Sequence, residues 1–263
     1  MSIFHAVLLG LLQGLTEFFP VSSSGHLAIV QHFLPGFQQP GVLFDVMLHM
    51  GTMLAVILYF RREILRLAIS PFRRDEESRI YRRLLALLIL GSLPTAVIGL
   101  TFKDFFVSMF ENIAAVALML LVTGLLLFLS ERLRRDGRRE DRLTWSDAVF
   151  VGIAQGCAVM PGISRSGATI STLLIKGVEG ETAARFSFLL ALPAVFGAGL
   201  LSLRDASQVA AAEIPAYFLG AAAAFVVGFF SIHFLLGVIR RRRLIGFAVY
   251  CWLVGGAFLV GTL

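Results

Sequence analysis

Four runs of this chain, residues 84–102, 113–130, 186–203 and 244–263, contain no charged side chain. A helix needs about 20 apolar residues to cross the hydrocarbon core of a bilayer, so each run is long enough by itself. Residues 214–239 carry only His233 and predict a long, tilted span. Residues 42–60 hold Asp45 near one end and His49 within, which predicts a sixth span with polar content. Composition agrees: 57% of the 263 residues are hydrophobic and 15% charged, and the mean hydropathy is +0.84. Soluble chains are about 25% charged. So few charges cannot cover a globule of this size, which argues against a soluble enzyme, a disordered tail and a coiled coil. The chain reads as one all-α polytopic membrane domain over residues 1–263.

The net charge of +6 and isoelectric point near 10 do not point to nucleic acid. Basic residues gather in three clusters between the apolar runs, at 61–83, 132–142 and 240–243. None forms a DNA-reading helix or a basic face interleaved with aromatics. They fit cytoplasmic loops that follow the positive-inside rule. Cys157 and Cys251 lie in apolar sequence without metal-ligand spacing and read as small hydrophobes. With no basic n-region and no small-residue cleavage site, the first residues predict no removable signal peptide.

Two more apolar stretches, 1–35 and 144–175, are broken by polar, glycine-containing segments, Ser22-Ser23-Ser24-Gly25 and Pro161-Gly162-Ile163-Ser164-Arg165-Ser166-Gly167. Lipid cannot satisfy irregular backbone, so such loops survive only inside protein or beside water. The flanking pieces are too short to cross, and each stretch reads as a re-entrant helix–loop–helix. The two also match each other. At an offset of 142, Ala6, Val7, Gly10, Gln13, Gly14, Ser22, Ser24 and Gly25 fall on identical residues from Ala148 to Gly167. That is eight identities in twenty ungapped positions. The chain therefore reads as a duplication, residues 1–131 and 144–263, each unit a re-entrant hairpin plus three transmembrane helices. Three spans are odd, so the second unit enters the membrane inverted. With 61–83 cytoplasmic, the count of spans makes 132–142 and 240–243 cytoplasmic too, while the loops 103–111 and 204–213 carry few positive charges. The first hairpin then opens outward. Inverted repeats with broken helices place binding sites near the midplane.

Of the 17 acidic residues, Glu17 is the one set inside an apolar run, and Arg165 is the one arginine inside the second broken stretch. Ionisable groups in the membrane are costly and mark function by default; a purely structural Glu17–Arg165 ion pair is the competing reading. Gln13 and Glu17 are four apart and share a helix face. Loops of serine and glycine that open into helices aim N–H groups at a common point and attract phosphate. Ser22, Ser24, Gly25, Ser164, Ser166, Gly167 and Thr169, with Gln13 and the bidentate fork of Arg165, make a phosphate or diphosphate cradle. His26 lies three residues after Ser23, and a serine needs an adjacent base to attack phosphorus near neutral pH. His5, His32, His49 and His233 lack such company and read as packing or interfacial histidines.

These residues carry a resemblance. Gln13-Gly-Leu-Thr-Glu17-Phe-Phe-Pro-Val-Ser-Ser-Ser-Gly-His26 resembles the (E/Q)xxxE…PVSSxGH motif of the bacterial undecaprenyl-diphosphatases of the bacitracin-resistance type. Pro161-Gly-Ile-Ser-Arg165-Ser-Gly-Ala-Thr169 is similar to their PGxSRSxxT motif. The likeness covers essentially the whole chain. It implies an integral-membrane phosphatase of the bacterial inner membrane that converts undecaprenyl diphosphate to the monophosphate, recycling the lipid carrier of cell-wall synthesis. It also implies dependence on a divalent metal, Mg²⁺ or Ca²⁺, and a site that faces the periplasm. Position 13 is Gln where many members have Glu, which leaves Glu17 as the metal ligand. The catalytic set expected is then Glu17, Ser23, His26 and Arg165, with Ser23 as nucleophile and His26 as base, and water activated by His26 or Glu17 as the open alternative. The expected partners are a polyprenyl diphosphate lipid and the membrane, without nucleic acid and with a homodimer left open.

Two rivals are weighed against this. The type-2 phosphatidic-acid-phosphatase fold shares a superficial likeness at Ser24-Gly25-His26 and Ser164-Arg165, but it needs a histidine soon after the arginine, and none follows Arg165 until His233. A transporter or flippase of a prenyl phosphate would use the same inverted repeat, yet transport needs no nucleophile beside a base.

Overall fold

In lipid every backbone N–H and C=O must find its partner inside the protein, and apolar runs of about 20 residues do so as helices, since a spanning strand needs only about 9–11. The computed structural model describes residues 1–261 except 36, 38, 40, 41, 111, 136 and 242, and only the backbone of 203, 205 and 206. Positions 111, 136 and 242 of the expected loops, and 262 and 263 of the last expected span, therefore lie outside the described residues. In chain order the helices are α1 (Ile3–Thr16), α2 (Ser23–Phe33), α3 (Leu43–Tyr59), α4 (Arg61–Ile69), α5 (Glu76–Thr101), α6 (Lys103–Met109), α7 (Ile113–Leu133), α8 (Trp145–Cys157), α9 (Arg165–Ile175), α10 (Gly180–Ser202), α11 (Ile214–Arg240) and α12 (Ile245–Gly261). Among the described residues there is no strand, only an isolated bridge between Arg138 and Val178.

Four helices, α5, α7, α10 and α11, are long and apolar enough to cross a membrane. A fifth span results if α3 is joined to Arg61–Phe72, into which it bends by 78°. The sixth expected span is α12, with 17 residues, about 25 Å long at the helical rise against a core of about 30 Å. The outer faces suit lipid. Leu93, Val97 and Leu100 on α5, Phe218 and Phe230 on α11, and Leu253 on α12 are all exposed, stripes that would drive a soluble protein to associate. This is an all-α, multi-pass membrane protein.

Both broken stretches fold as short helix–loop–helix hairpins. The offset of 142 carries the bounds of α2 to 165–175, where α9 lies, and those of α1 to 145–158, where α8 spans Trp145–Cys157. Each hairpin opens with a helix started by a side-chain cap. Ser2 accepts from the His5 N–H on α1, and a capping box joins Thr144 to Asp147 on α8.

The hairpins lie against spans from the other half of the sequence. α1 runs along α11, and α8 runs along α5. Small residues allow this approach. A Cβ on Gly10 would collide with the carbonyl oxygen of Gly220, and one on Gly152, its equivalent, with that of Gly91. α7 packs along α12 and α3 along α10 and α11, which closes the bundle around both loops.

The three basic clusters meet at one end. Arg83 donates to the Leu143 carbonyl at 2.8 Å, Arg185 pairs with Glu63 at 3.1 Å, Arg240 with Glu181 at 2.9 Å and Arg139 with Glu179 at 3.2 Å. Elsewhere, Met1 and Val209 pack on one cluster with Ala6, Leu9 and Tyr217.

Candidate active site

α1 ends by turning the Thr16 hydroxyl back onto the Leu12 carbonyl, 2.7 Å away, and Glu17 follows as its C-cap. The helical spacing puts Gln13 under it, so that Gln13 Nε2 donates to Glu17 Oε2 at 2.9 Å. The chain then reverses. Ser22 has φ of 69°, and among the described residues it is the one non-glycine with positive φ. Such strain is held only where surrounding structure over-determines it, and it clusters at functional sites. Here it turns the Ser22 hydroxyl onto the Gly25 N–H at 3.2 Å, capping α2, and leaves Ser23 as the first helical residue. The Ser23 hydroxyl donates to Glu17 Oε2 at 2.5 Å.

The second loop repeats this construction. Ser164 accepts from the Gly167 N–H at 3.0 Å and caps α9, and its hydroxyl meets that of Ser166 at 3.2 Å, as Ser22 meets Ser24 at 3.3 Å. Ser164 N–H donates to Thr123 Oγ1 at 3.0 Å, and Thr123 donates to the Gly162 carbonyl at 2.9 Å. Thr123 sits midway along α7, so the loop docks at mid-depth of a span. The two loops touch: a Cβ on Gly25 would lie 3.0 Å from the Gly162 Cα, and Ser166 donates to the Phe19 carbonyl at 3.3 Å. Arg165, first residue of α9, reaches across and donates to Glu17 Oε1.

Glu17 is thus the hub, with 5% of its surface exposed. Arg165 holds one oxygen, Gln13 and Ser23 donate to the other, and His49 Nε2 lies 3.3 Å from that second oxygen. Of the residues expected from sequence, Gln13, Glu17, Ser23 and Arg165 are brought together. The remaining cradle residues build the two helix starts. Ser22 and Ser164 spend their hydroxyls as caps on Gly25 and Gly167, while the first turns of α2 and α9 leave N–H groups that no intrahelical acceptor can take. The Thr169 hydroxyl, fully buried, lies 2.8 Å from the Arg165 carbonyl and 2.5 Å from the Ser187 hydroxyl, which fastens α9 to α10.

His26 is placed differently from expectation. Its Nδ1 lies 2.7 Å from the Ser22 carbonyl, and its Nε2 lies 2.8 Å from the Tyr250 hydroxyl on α12. A carbonyl only accepts, so Nδ1 carries the hydrogen and Nε2 of the neutral ring accepts from Tyr250. Both nitrogens are engaged away from Ser23. The rings of His26 and Tyr250 stack with centroids 5.6 Å apart. Sequence reasoning missed Tyr250, for which no local signal exists, and gave His49 only a packing role. An ionisable residue inside a span was the signal that could have promoted His49.

The donor set suits a hard divalent cation that relies on substrate oxygens. Such ions are held by one or two carboxylates plus phosphate. Among the described residues no group of three or more His, Cys, Asp or Glu forms a metal cage. Glu17 supplies a carboxylate, and Gln13 Oε1 is a buried oxygen without a hydrogen-bond partner.

Residues 6–257 match the model of the bacitracin resistance protein BacA family. The chain belongs to the BacA family. A relative from Syntrophotalea carbinolica, named undecaprenyl-diphosphatase, is 66% identical over 258 residues, 98% of each chain. One of the same name from Carboxydothermus hydrogenoformans is 41% identical over 264 residues, 99% of this chain and 97% of that one. Another, from Methanobrevibacter smithii, is 37% identical over 275 residues, 100% of this chain and 99% of that one. The BacA match takes in both polar loops and everything between them, which sets aside the type-2 phosphatidic-acid-phosphatase reading.

Proposed function

We propose that this chain hydrolyses undecaprenyl diphosphate to undecaprenyl phosphate and inorganic phosphate, in the bacterial inner membrane and from a site open to the periplasm. The observation that carries the reading is the convergence of Ser23, Glu17 and Arg165 from two opposed loops onto one buried point. Catalysis of phosphoryl transfer rests largely on positioning groups and spreading charge.

In this reading the terminal phosphate lies against the starts of α2 and α9, where free N–H groups and the Arg165 fork take its oxygens. Ser23 Oγ attacks the terminal phosphorus while Glu17 Oε2, already its hydrogen-bond partner, takes the proton. The bond from phosphorus to the bridging oxygen breaks, and undecaprenyl phosphate leaves as an anion that needs no protonation. Water then attacks the phosphoserine, the bond between phosphorus and Oγ breaks, and Glu17 returns the proton to Ser23 as inorganic phosphate departs. The base role expected of His26 passes to Glu17, which touches the serine. His26, tied to the Ser22 carbonyl and Tyr250, holds the start of α2 in place. Glu17 and Gln13 Oε1 would hold Mg²⁺ or Ca²⁺, which neutralises phosphate oxygens when bound.

The outward-facing site follows from treating residues 1–131 and 144–263 as inverted repeats. Support comes from the matching hairpin bounds, the exchange of packing partners between halves, and the gathering of the basic clusters at one end, where the positive-inside rule puts the cytoplasm. The test is phosphate release from a short-chain prenyl diphosphate by the purified chain in detergent, with and without chelator. Release that stops on chelation and returns with Mg²⁺ or Ca²⁺ is expected. A transporter would release none.

A further inference from the structure

His49 and Glu17 face one another with an arrangement of lone pairs that calls for a cation. His49 Nδ1 lies 2.7 Å from the Asp45 carbonyl oxygen. That oxygen only accepts, so Nδ1 bears the hydrogen and Nε2 of the neutral ring keeps a bare lone pair. Nε2 points at Glu17 Oε2, 3.3 Å away, which is itself acceptor-only when ionised. Beside them Gln13, fully buried, has its Nε2 on Glu17 and its Oε1 without any partner. Two electron-pair donors, His49 Nε2 on α3 and Glu17 Oε2 at the C-cap of α1, thus face one another, and a third, Gln13 Oε1, belongs to an amide whose other end touches the same carboxylate. An imidazole whose N–H is locked by a backbone carbonyl, with its other nitrogen aimed at an ionised group, has the orientation of metal-ligating histidines.

We propose that His49 Nε2 is a ligand of the divalent cation, together with Glu17 and Gln13 Oε1, the remaining positions going to phosphate oxygens and water. This rests on the metal-dependent reading of the site and goes beyond it, because it assigns α3 a direct role and adds nitrogen to an oxygen donor set. Imidazole favours first-row transition ions over Ca²⁺. Mn²⁺, at home among oxygen donors and tolerant of imidazole, is therefore the probe. Arg165 occupies the other oxygen of Glu17, so the cation lies on the Oε2 side, where it displaces the Gln13 amide hydrogen and leaves the second lone pair of Oε2 to Ser23.

The experiment is electron spin-echo spectroscopy of the full chain in detergent with bound Mn²⁺. Modulation from a directly coordinated nitrogen is expected in the wild type, and isotope labelling of histidine alone should shift it, which ties it to imidazole without any substitution. His49→Gln should abolish the modulation and weaken Mn²⁺ binding about tenfold or more, while His26→Gln keeps it. Mn²⁺ bound without nitrogen modulation would overturn the assignment and leave a proton, shared between His49 and Glu17, as the cation. Failure to bind Mn²⁺ at all would overturn it as well. Phosphate release, measured separately, tells the two readings apart. An active chain without nitrogen ligation removes only the role of His49, whereas histidine-ligated Mn²⁺ in a chain that releases no phosphate removes only the diphosphatase reading.

Discussion

Replacing Ser23 with alanine separates a nucleophile from a hydrogen-bonding group, because the structure sets the size of the lesser effect. The Ser23 hydroxyl makes one hydrogen bond, 2.5 Å long, to the Glu17 carboxylate. A hydrogen bond to a charged group is worth about 1.5–3 kcal/mol. At about 1.4 kcal/mol per factor of ten, its loss slows turnover by about 10- to 150-fold if Ser23 only orients Glu17 or the phosphate. Loss of a true nucleophile costs on the order of 10⁴-fold or more. The gap between these ranges makes the assay decisive. Turnover of a short-chain prenyl diphosphate by Ser23→Ala is measured in detergent beside wild type, and acid-quenched wild type is digested and searched for phosphoserine by mass spectrometry. A fall of 10⁴-fold or more, with a trapped phosphoserine at position 23, is the expected outcome. Ser24→Ala, whose hydroxyl meets only that of Ser22 at 3.3 Å, should cost less than about tenfold, the scale of one neutral hydrogen bond. Residual Ser23→Ala activity within about 100-fold of wild type, without phosphoserine, would refute covalent catalysis and give the reaction to water activated by Glu17.

Arg165→Lys keeps the charge but loses the planar fork, and turnover should fall by about 100-fold or more, the scale of one transition-state donor; size-exclusion chromatography checks that the variant is still folded, and activity within a few-fold of wild type would make Arg165 a structural counter-ion. Glu17→Gln should impair metal-stimulated phosphate release more than Gln13→Ala does, since it removes the carboxylate that Arg165, Gln13 and Ser23 all engage. The reverse order would show that the cation does not depend on Glu17. Cysteines placed at Arg138 and Arg241 should react with an impermeant thiol reagent only from the cytoplasmic side and one at Ser207 only from outside, and labelling of 138 and 207 from one side would end the inverted-repeat topology.

Much of this molecule is local, and local features can be read from the sequence. The charge-free runs had to be helices, because a helix satisfies its own backbone wherever lipid offers no partner. The helices of the two hairpins lie at the same offset of 142 residues as the matching sequence, and both begin on a serine cap, Ser22 on Gly25 and Ser164 on Gly167. Gln13 and Glu17 meet because four residues make about one helical turn. Arg165 could be picked out as a lone cation in apolar sequence that has to find a carboxylate.

What the sequence left open was the choice among partners that lie far apart along the chain. His26 follows Ser23 within one turn, and proximity alone suggests that they pair. At the start of a helix, however, the Ser22 carbonyl lies within reach of His26 and takes its Nδ1, and Tyr250, 224 residues away, takes Nε2. The Ser23 hydroxyl goes instead to Glu17, because the left-handed turn at Ser22 folds the start of α2 back over the end of α1. His49 reaches the same carboxylate only because α3 packs into the bundle beside α11, where a Cβ on Gly51 would collide with the carbonyl oxygen of Ala221. Periodicity fixes which face of a helix is apolar, but which helix meets that face depends on how closely two backbones can approach, and this is a property of the packed bundle.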